Sequence, residues 1–484
     1  MKKKTHEIDK LKKMVFEKAK NIGTREILVH YIWDTCISLQ LGYSFSLNHT
    51  TPYTVIAIQE MNLCLKYPIA YWNCACLSVN AGMDEGATNY AKMATAIGDI
   101  KSRNVNILYP SINKAGFAFK VVGDDIMFGL KGLTNIGDEV VNNIIKYRPY
   151  TSMQDLQRKL SLDKQQMISL IKAGAFDEIE KDKRPVVMAK YIRSIMETKK
   201  RLTMQQYPQV QAIGATPESM VKYDKIFEFN RYLKSECQNG LNYILDDRAL
   251  SFFSLNLDTS LLKNIGDGIG LEIKEWEKFY NKEISPLKQY LADNRDKILG
   301  SLNRNVFFQE WNKYCSGSVS KWEMDSLSCY IGEHELKNVN IEKYGIRNFS
   351  DMPETPVAVD FFNIRGKRIG KFGVDSIVGT VIAKDKSKYV LTILTLDGVV
   401  NIKIRNEQFA FFDRQVSERQ SDGTKKILEK SWFTKGNKLM LTGYRDGDQF
   451  RLKTYADTGK KSIYKIEDIL QNGDLVLNSA RAGE

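Results

Sequence analysis

The residues best suited to bind a ligand lie in the stretch FGLKGLTNIGDEVVNNII, which begins at Phe128. Leucines precede a tight turn at residues 135–137, and apolar residues then recur at helical spacing behind it. This pattern predicts a hairpin between two helices. A turn at a helix N-terminus gathers backbone amides on one point, where they can bind a phosphate without recognising a base. The candidate phosphate-binding residues are Lys131, Asn135, Ile136 and Gly137.

Gly137 is expected to supply a sharp turn that a β-branched residue would disturb. A second hairpin pattern, LDKQQMISLIKAGAFDEI, follows and adds Lys172 and Gly174 as phosphate-binding candidates. The alternative is a pair of ordinary helical hairpins whose glycines only cap helices, and for one copy the two interpretations are equally good. Two copies in tandem on a basic chain favour DNA.

The composition also favours a polyanionic partner. The chain has 484 residues, a formal charge of +13 and a pI near 9.1. Clustered Lys and Arg side chains gain free energy when they release the counterions condensed on nucleic acid. The length predicts roughly three domains. The seven cysteines have irregular spacing and are interpreted as reduced thiols in the core. Without a membrane-length apolar run or a signal sequence, the chain is expected to be cytoplasmic.

After residue 353 the hydrophobic period changes from helical to alternating. Five β-rich runs separated by turn signals predict an oligonucleotide-binding (OB) barrel; they lie at 377–382, 389–394, 399–404, 438–444 and 449–455. Its candidate contacts with single-stranded DNA are Lys386, Lys388, Phe409, Phe411 and Trp432. The alternative for the aromatic rings is that some of them close the barrel.

A resemblance to a known family rests on the segment from Gly42 to His49, with the sequence GYSFSLNH, and on Tyr53, LKYP at 65–68 and Trp72. This segment resembles the fingers domain of bacterial replicative DNA polymerase III alpha subunits. The hairpins, the sequences WEMDSL at 322–327 and GEHEL at 332–336, and the late barrel follow in the family's order. Coverage is nearly the whole chain.

The resemblance implies a multidomain α+β protein. Its expected parts are the rear of the fingers at 1–115, tandem helix–hairpin–helix motifs at 116–180, a mostly helical domain at 181–352, the OB barrel at 353–460 and a tail at 461–484. The residues implied to face an incoming nucleotide are Ser46, Asn48, His49 and Tyr53. For His49 and Tyr53 the alternative is hydrogen bonding to neighbouring helices. Leu47 stands where the family usually has a basic residue.

The family's phosphoesterase-like and palm domains have no counterpart in this sequence. Two-metal phosphoryl transfer needs carboxylates presented close together, and the paired acids here resemble turns; they are Asp124-Asp125, Asp246-Asp247 and Asp446-Gly447-Asp448. No catalytic residue or metal site of its own is therefore predicted. Mg²⁺ is expected in the palm of a separately encoded partner.

These observations predict the C-terminal part of a split replicative DNA polymerase, which binds primer–template DNA and completes the fingers. The chain alone is expected to be inactive. Sliding-clamp binding is implied by the resemblance only, because Gln205–Ile213 lacks a clear apolar-aromatic ending. The alternative function is a non-catalytic, polymerase-derived DNA-binding adaptor at the replication fork.

Overall fold

The computed structural model divides the chain into two units, residues 1–108 with 118–129, and residues 109–117 with 130–484. The residues whose structure is described are 5–38, 47–83, 86–101, 103, 105–266, 268–364, 367–420, 424–455 and 461–482.

The first unit is helical with a small sheet. Its helices are α1 Thr5–Asn21, α2 Glu26–Ile32, a π-helical turn Trp33–Ile37, α3 Leu47–Lys66, α4 Ile69–Ala81 and α5 Tyr90–Lys101. Its strands are β1 Ile107–Leu108, β2 Lys120–Val122 and β3 Asp125–Met127, in the order β1–β3–β2. Helix α4 ends at Gly82, whose φ of 65° lies in the left-handed region that stops a helix. Buried Leu77 and Met93 belong to the packed pair α4 and α5.

The helices of the second unit that precede the barrel are α6 Asp138–Lys146, α7 Met153–Lys159, α8 Lys164–Lys172, α9 Arg184–Ile195, α10 Tyr207–Ala212, α11 Val221–Glu236, α12 Asp247–Asn256, α13 Ile273–Glu283, α14 Ser285–Asp293, α15 Arg295–Tyr314, α16 Val319–Leu327 and α17 Ile341–Tyr344. A four-stranded sheet has the order β4–β5–β7–β6, with β4 Gln238–Asn239, β5 Asn242–Ile244, β6 Lys263–Ile265 and β7 Gly268–Glu272. Trp276 is fully buried beside this sheet and donates from Nε1 to Asn230 at 2.9 Å.

The barrel is a closed five-stranded OB-type fold. Its strands and connecting helix are β10 Asp375–Asp385, β11 Val390–Leu394, β12 Val399–Lys403, α18 Asn406–Asp413, β15 Lys438–Asp446 and β16 Gln449–Leu452. The order β10–β11–β12–β16–β15 closes because β15 also pairs with β10, and only β12 and β16 among these described strands run parallel. Gly443 lets β16 approach closely, since a Cβ there would collide with the Arg451 carbonyl. The predicted fold class is confirmed.

Two hairpins and a two-stranded extension accompany the barrel. The hairpins are β8 Ala358–Ile364 with β9 Lys367–Phe372, and β13 Val416–Arg419 with β14 Lys425–Glu429. Residues 461–484 were expected to form a tail, and the structure corrects this expectation. Their described part forms β17 Ile463–Ile469 and β18 Leu475–Asn478, and β17 pairs with the first half of β15. Buried Arg481 then pairs with Glu429 at 3.1 Å, which holds the chain end against the barrel.

No helix in the described ranges is long and apolar enough to cross a membrane. All seven cysteines are free thiols, but only four are buried; contrary to expectation, Cys64 and Cys76 are half-buried and Cys36 is exposed.

Candidate nucleic-acid interface

The first predicted hairpin is present and is firmly anchored. A 3-10 turn at Leu130–Gly132 leads into the turn before α6, and Leu130, Leu133 and Ile136 are buried beneath it. The amide of Thr134 donates to the Ser326 carbonyl at 2.9 Å, and its hydroxyl donates to the Asp325 carbonyl at 3.0 Å. These bonds fix the turn from below and leave Asn135 and Gly137 exposed to solvent.

The expected role of Gly137 needs a correction. The left-handed residue of the turn is Asn135, with a φ of 62°. Gly137 is the N-cap of α6 at φ −87° and ψ 169°, an extended conformation that any residue adopts. A Cβ at Gly137 would meet nothing within 4 Å. Gly137 therefore contributes open space beside the helix N-terminus, and its backbone angles do not require glycine.

Helix α6 begins without a side-chain cap from any described residue. The amides of its first turn point along the axis and lack intrahelical acceptors, so an external oxyanion can bind them. Lys131 is buried and forms an ion pair with Asp138, the first residue of the helix. Lys131 was expected to bind a DNA phosphate, but its ammonium group instead neutralises the Asp138 carboxylate. The exposed Glu139 carboxylate also lies in the first turn, where it would repel an anion bound to the helix N-terminus.

The second hairpin does not present the phosphate site that was predicted. The N-terminus of α8 is already closed by a capping box, in which Asp163 accepts from the Gln166 amide at 2.8 Å. Lys172 lies at the other end of α8 and pairs with Asp325 at 2.8 Å. Gly174 has a φ of 81° and is covered by the Arg184 guanidinium. Both candidates therefore serve internal packing.

An ion-pair network that the sequence did not reveal surrounds Gly174. Arg184 donates to Asp177 at 2.6 Å and lies 3.4 Å from Glu323, a carboxylate that is 2% exposed. Glu323 also accepts from the Ile331 and Gly332 amides, each at 2.9 Å. Burial, together with the hydrogen bond to Glu323, raises the pKa of Tyr109 to about 12. The network joins the hairpin region to the WEMDSL and GEHEL segments.

In the barrel, two of the predicted base-stacking rings lie inside the core. Phe409 is 2% exposed and Trp432 is fully buried, with its indole donating to Glu429 at 2.6 Å. They pack where α18 and the segment before β15 close the barrel, so they cannot stack on bases while it is intact. Phe411 is half-buried, with the Arg414 guanidinium 4.6 Å from its ring centre.

The predicted barrel lysines are exposed. Lys386 pairs with Asp413 at 3.1 Å, and Lys388 pairs with Asp385 at 3.8 Å. The Lys388–Asp385 pair is exposed on both sides and contributes only about 0–1 kcal/mol, so a phosphate can compete for its ammonium group. The Asp413 carboxylate that holds Lys386 is only 7% exposed and also pairs with Lys384.

Two of the nucleotide-facing candidates lie together on α3. The rings of His49 and Tyr53 are one turn apart, with centroids 4.8 Å apart at 62°, and both residues are exposed. Asn48 belongs to the same helix, whereas Ser46 lies outside the described residues. Among the described His, Cys, Asp and Glu side chains, no group of three or more is placed to hold a metal ion.

Comparisons with known proteins agree with this geometry. Residues 104–186 match the model of a helix–hairpin–helix motif. The chain is 35% identical to a probable DNA polymerase, YorL, of Bacillus subtilis (strain 168), and equally to the DNA-directed DNA polymerase of Bacillus phage SPbeta; each alignment covers 99% of this chain and 38% of the relative. It is 27% identical to the DNA polymerase III alpha subunit of Thermus aquaticus over 46% of this chain and 19% of that subunit. The chain thus spans well under half the length of these relatives.

Proposed function

This chain is homologous to bacterial and phage DNA polymerases and, over part of its length, to polymerase III alpha subunits, and from that premise we propose that it is the DNA-holding part of such an enzyme. It binds primer–template DNA through the sugar–phosphate backbone and completes the fingers around an incoming nucleotide. The observation that carries the proposal is the uncapped N-terminus of α6, with Asn135 and Gly137 exposed beside it, inside the matched helix–hairpin–helix region.

The catalytic carboxylates are proposed to come from a separately encoded palm subunit, which would hold the Mg²⁺ ions. Helix α3 supports such a partner, because its exposed side chains are largely apolar; they include Ile58 at 52%, Met61 at 65% and Leu65 at 85% exposure. A helix that is apolar on exposed faces marks an interaction surface. The relatives have more than half of their length beyond the aligned region, which is enough chain to cover α3.

Gly137→Val is expected to weaken primer–template binding about tenfold or more while leaving the fold intact. The new side chain has room in the free protein, but it would occupy the space where a phosphate meets the α6 amides. Losing charge-assisted hydrogen bonds costs about 1.5–3 kcal/mol. Affinity is measured by fluorescence anisotropy with a labelled primer–template, and stability by thermal unfolding.

Gly300→Val is the matched control, since Gly300 is also exposed and a Cβ there meets nothing within 4 Å, but it lies in α15, outside the hairpin region. Unchanged DNA affinity in Gly137→Val, or an equal loss in both variants, would refute the phosphate site.

A further inference from the structure

Helices α11 and α12 enclose a small pocket that has no part in the DNA interface. Its volume is about 260 Å³. The lining residues are Lys225, Glu228, Phe229 and Tyr232 from α11, with Arg248 and Phe252 from α12. We propose that this pocket is a docking site for an acidic peptide that carries an aromatic side chain. The site lies between the hairpins and the barrel in the sequence, and its partner is a protein.

The pocket is built before any partner binds. Lys225, Phe229 and Tyr232 follow i, i+4, i+7 spacing and share one face of α11, and the two residues from α12 are one turn apart. The Tyr232 hydroxyl donates to the Asp246 carboxylate. Asp246 also caps α12 by accepting from the Ala249 amide at 2.8 Å. The two walls are therefore tied together, which lowers the ordering cost of binding.

Aromatic rings form the floor of the pocket. The rings of Phe229 and Phe252 stack with their centroids 4.1 Å apart at 13°. Phe229 is buried in the core around Trp276, whereas Phe252 is half-buried. Leu255 is 83% exposed and shares the face of α12 with Phe252, so it extends the apolar surface. The pocket is smaller than the roughly 300–1,000 Å³ that enclose whole small molecules, and it suits one large side chain of a peptide.

The rim of the pocket selects an acidic partner. Lys225 and Arg248 are both exposed there, and the Arg248 guanidinium lies 4.7 Å from the centre of the Tyr232 ring. Neither cation forms an ion pair with a described carboxylate. Carboxylates that flank an aromatic side chain would reach both cations once the ring is seated. Such charge complementarity favours an acidic peptide over a neutral or basic one.

Glu228 favours a peptide over nucleic acid. It is exposed, and it is the one carboxylate among the described lining residues. The backbone N–H groups of a peptide can donate to this carboxylate. The phosphodiester backbone of DNA offers only acceptors and carries negative charge, so Glu228 would repel it. The pocket therefore fits an acidic, aromatic peptide better than a DNA strand.

The test is fluorescence anisotropy of the full chain with a fluorescein-labelled peptide of four aspartates followed by phenylalanine. Replacing that phenylalanine with alanine in the peptide is expected to weaken binding about tenfold or more, because the aromatic side chain is the anchor. In the protein, Lys225→Ala with Arg248→Ala is expected to weaken binding of the phenylalanine peptide about 5- to 30-fold. Primer–template affinity should be unchanged.

The matched control is Arg231→Ala with Lys234→Ala, which removes two exposed cations of α11 that do not line the pocket. It should leave peptide binding unchanged. Equal binding of the two peptides would reveal general attraction to a basic protein and overturn the proposal. An ineffective pocket variant, or an equal loss of DNA affinity, would overturn it too. If the pocket variant unfolds, Lys225→Glu replaces it, with a loss of peptide binding again expected.

Discussion

Purified alone, the chain is expected to extend no primer, and a palm-bearing partner is expected to restore templated synthesis. Phosphoryl transfer needs two metal ions held by closely spaced carboxylates. A suitable partner is the SPbeta relative with its aligned region deleted. Synthesis is measured by primer extension with each protein alone and with both mixed. Extension by the lone chain would refute the missing-palm proposal, and a folded partner that gains nothing on mixing would favour the adaptor.

His49 and Tyr53 sharpen this experiment in the mixed enzyme. His49→Ala and Tyr53→Phe are expected to lower nucleotide incorporation more than DNA affinity, because these groups would meet only the incoming nucleotide. Gln59→Ala is the control on the same exposed helix. A parallel loss of DNA affinity would place the two residues against DNA or a neighbouring helix instead.

Arg184→Met is expected to destabilise the second unit by about 3–5 kcal/mol, because it leaves the buried Glu323 carboxylate without its cation. Unfolding in urea is followed by tryptophan fluorescence, for which Trp322 is a local reporter. The control is Lys190→Met, which breaks the exposed pair with Asp182 and should cost no more than about 1 kcal/mol.

Adding Glu323→Gln to Arg184→Met removes the orphaned charge and should recover part of the loss. Equal effects of Arg184→Met and Lys190→Met would show that the network contributes no more than a surface ion pair.

The barrel could be predicted from sequence because its strands alternate with period two between clear turn signals such as Asp397-Gly398. The strands at 463–478 were missed although Asn472-Gly473 is a hairpin turn signal between them, and no local pattern indicates that β17 pairs with one half of β15. Helix α3 spans Leu47–Lys66 with Pro52 inside it, although the residue type alone favours the first turn of a helix.

The site was predicted less completely for a different reason. The local pattern located the first turn, but Asp325, which pairs with Lys172, and Glu323, which pairs with Arg184, lie 153 and 139 residues away along the chain and are invisible to local spacing. An aromatic residue before a strand can stack on a base or fill a core. Only the packing of α18 onto the barrel decides that Phe409 and Trp432 fill the core and do not stack on bases.

Binding of primer–template DNA at increasing salt is the decisive measurement, since we propose that the chain holds DNA by its phosphates. Phosphate-directed binding predicts that log K falls linearly with log salt, by about 0.9 for each phosphate neutralised, and that scrambling the duplex sequence leaves K unchanged. A slope near zero between low and physiological salt, or an affinity that follows the base sequence, would contradict it.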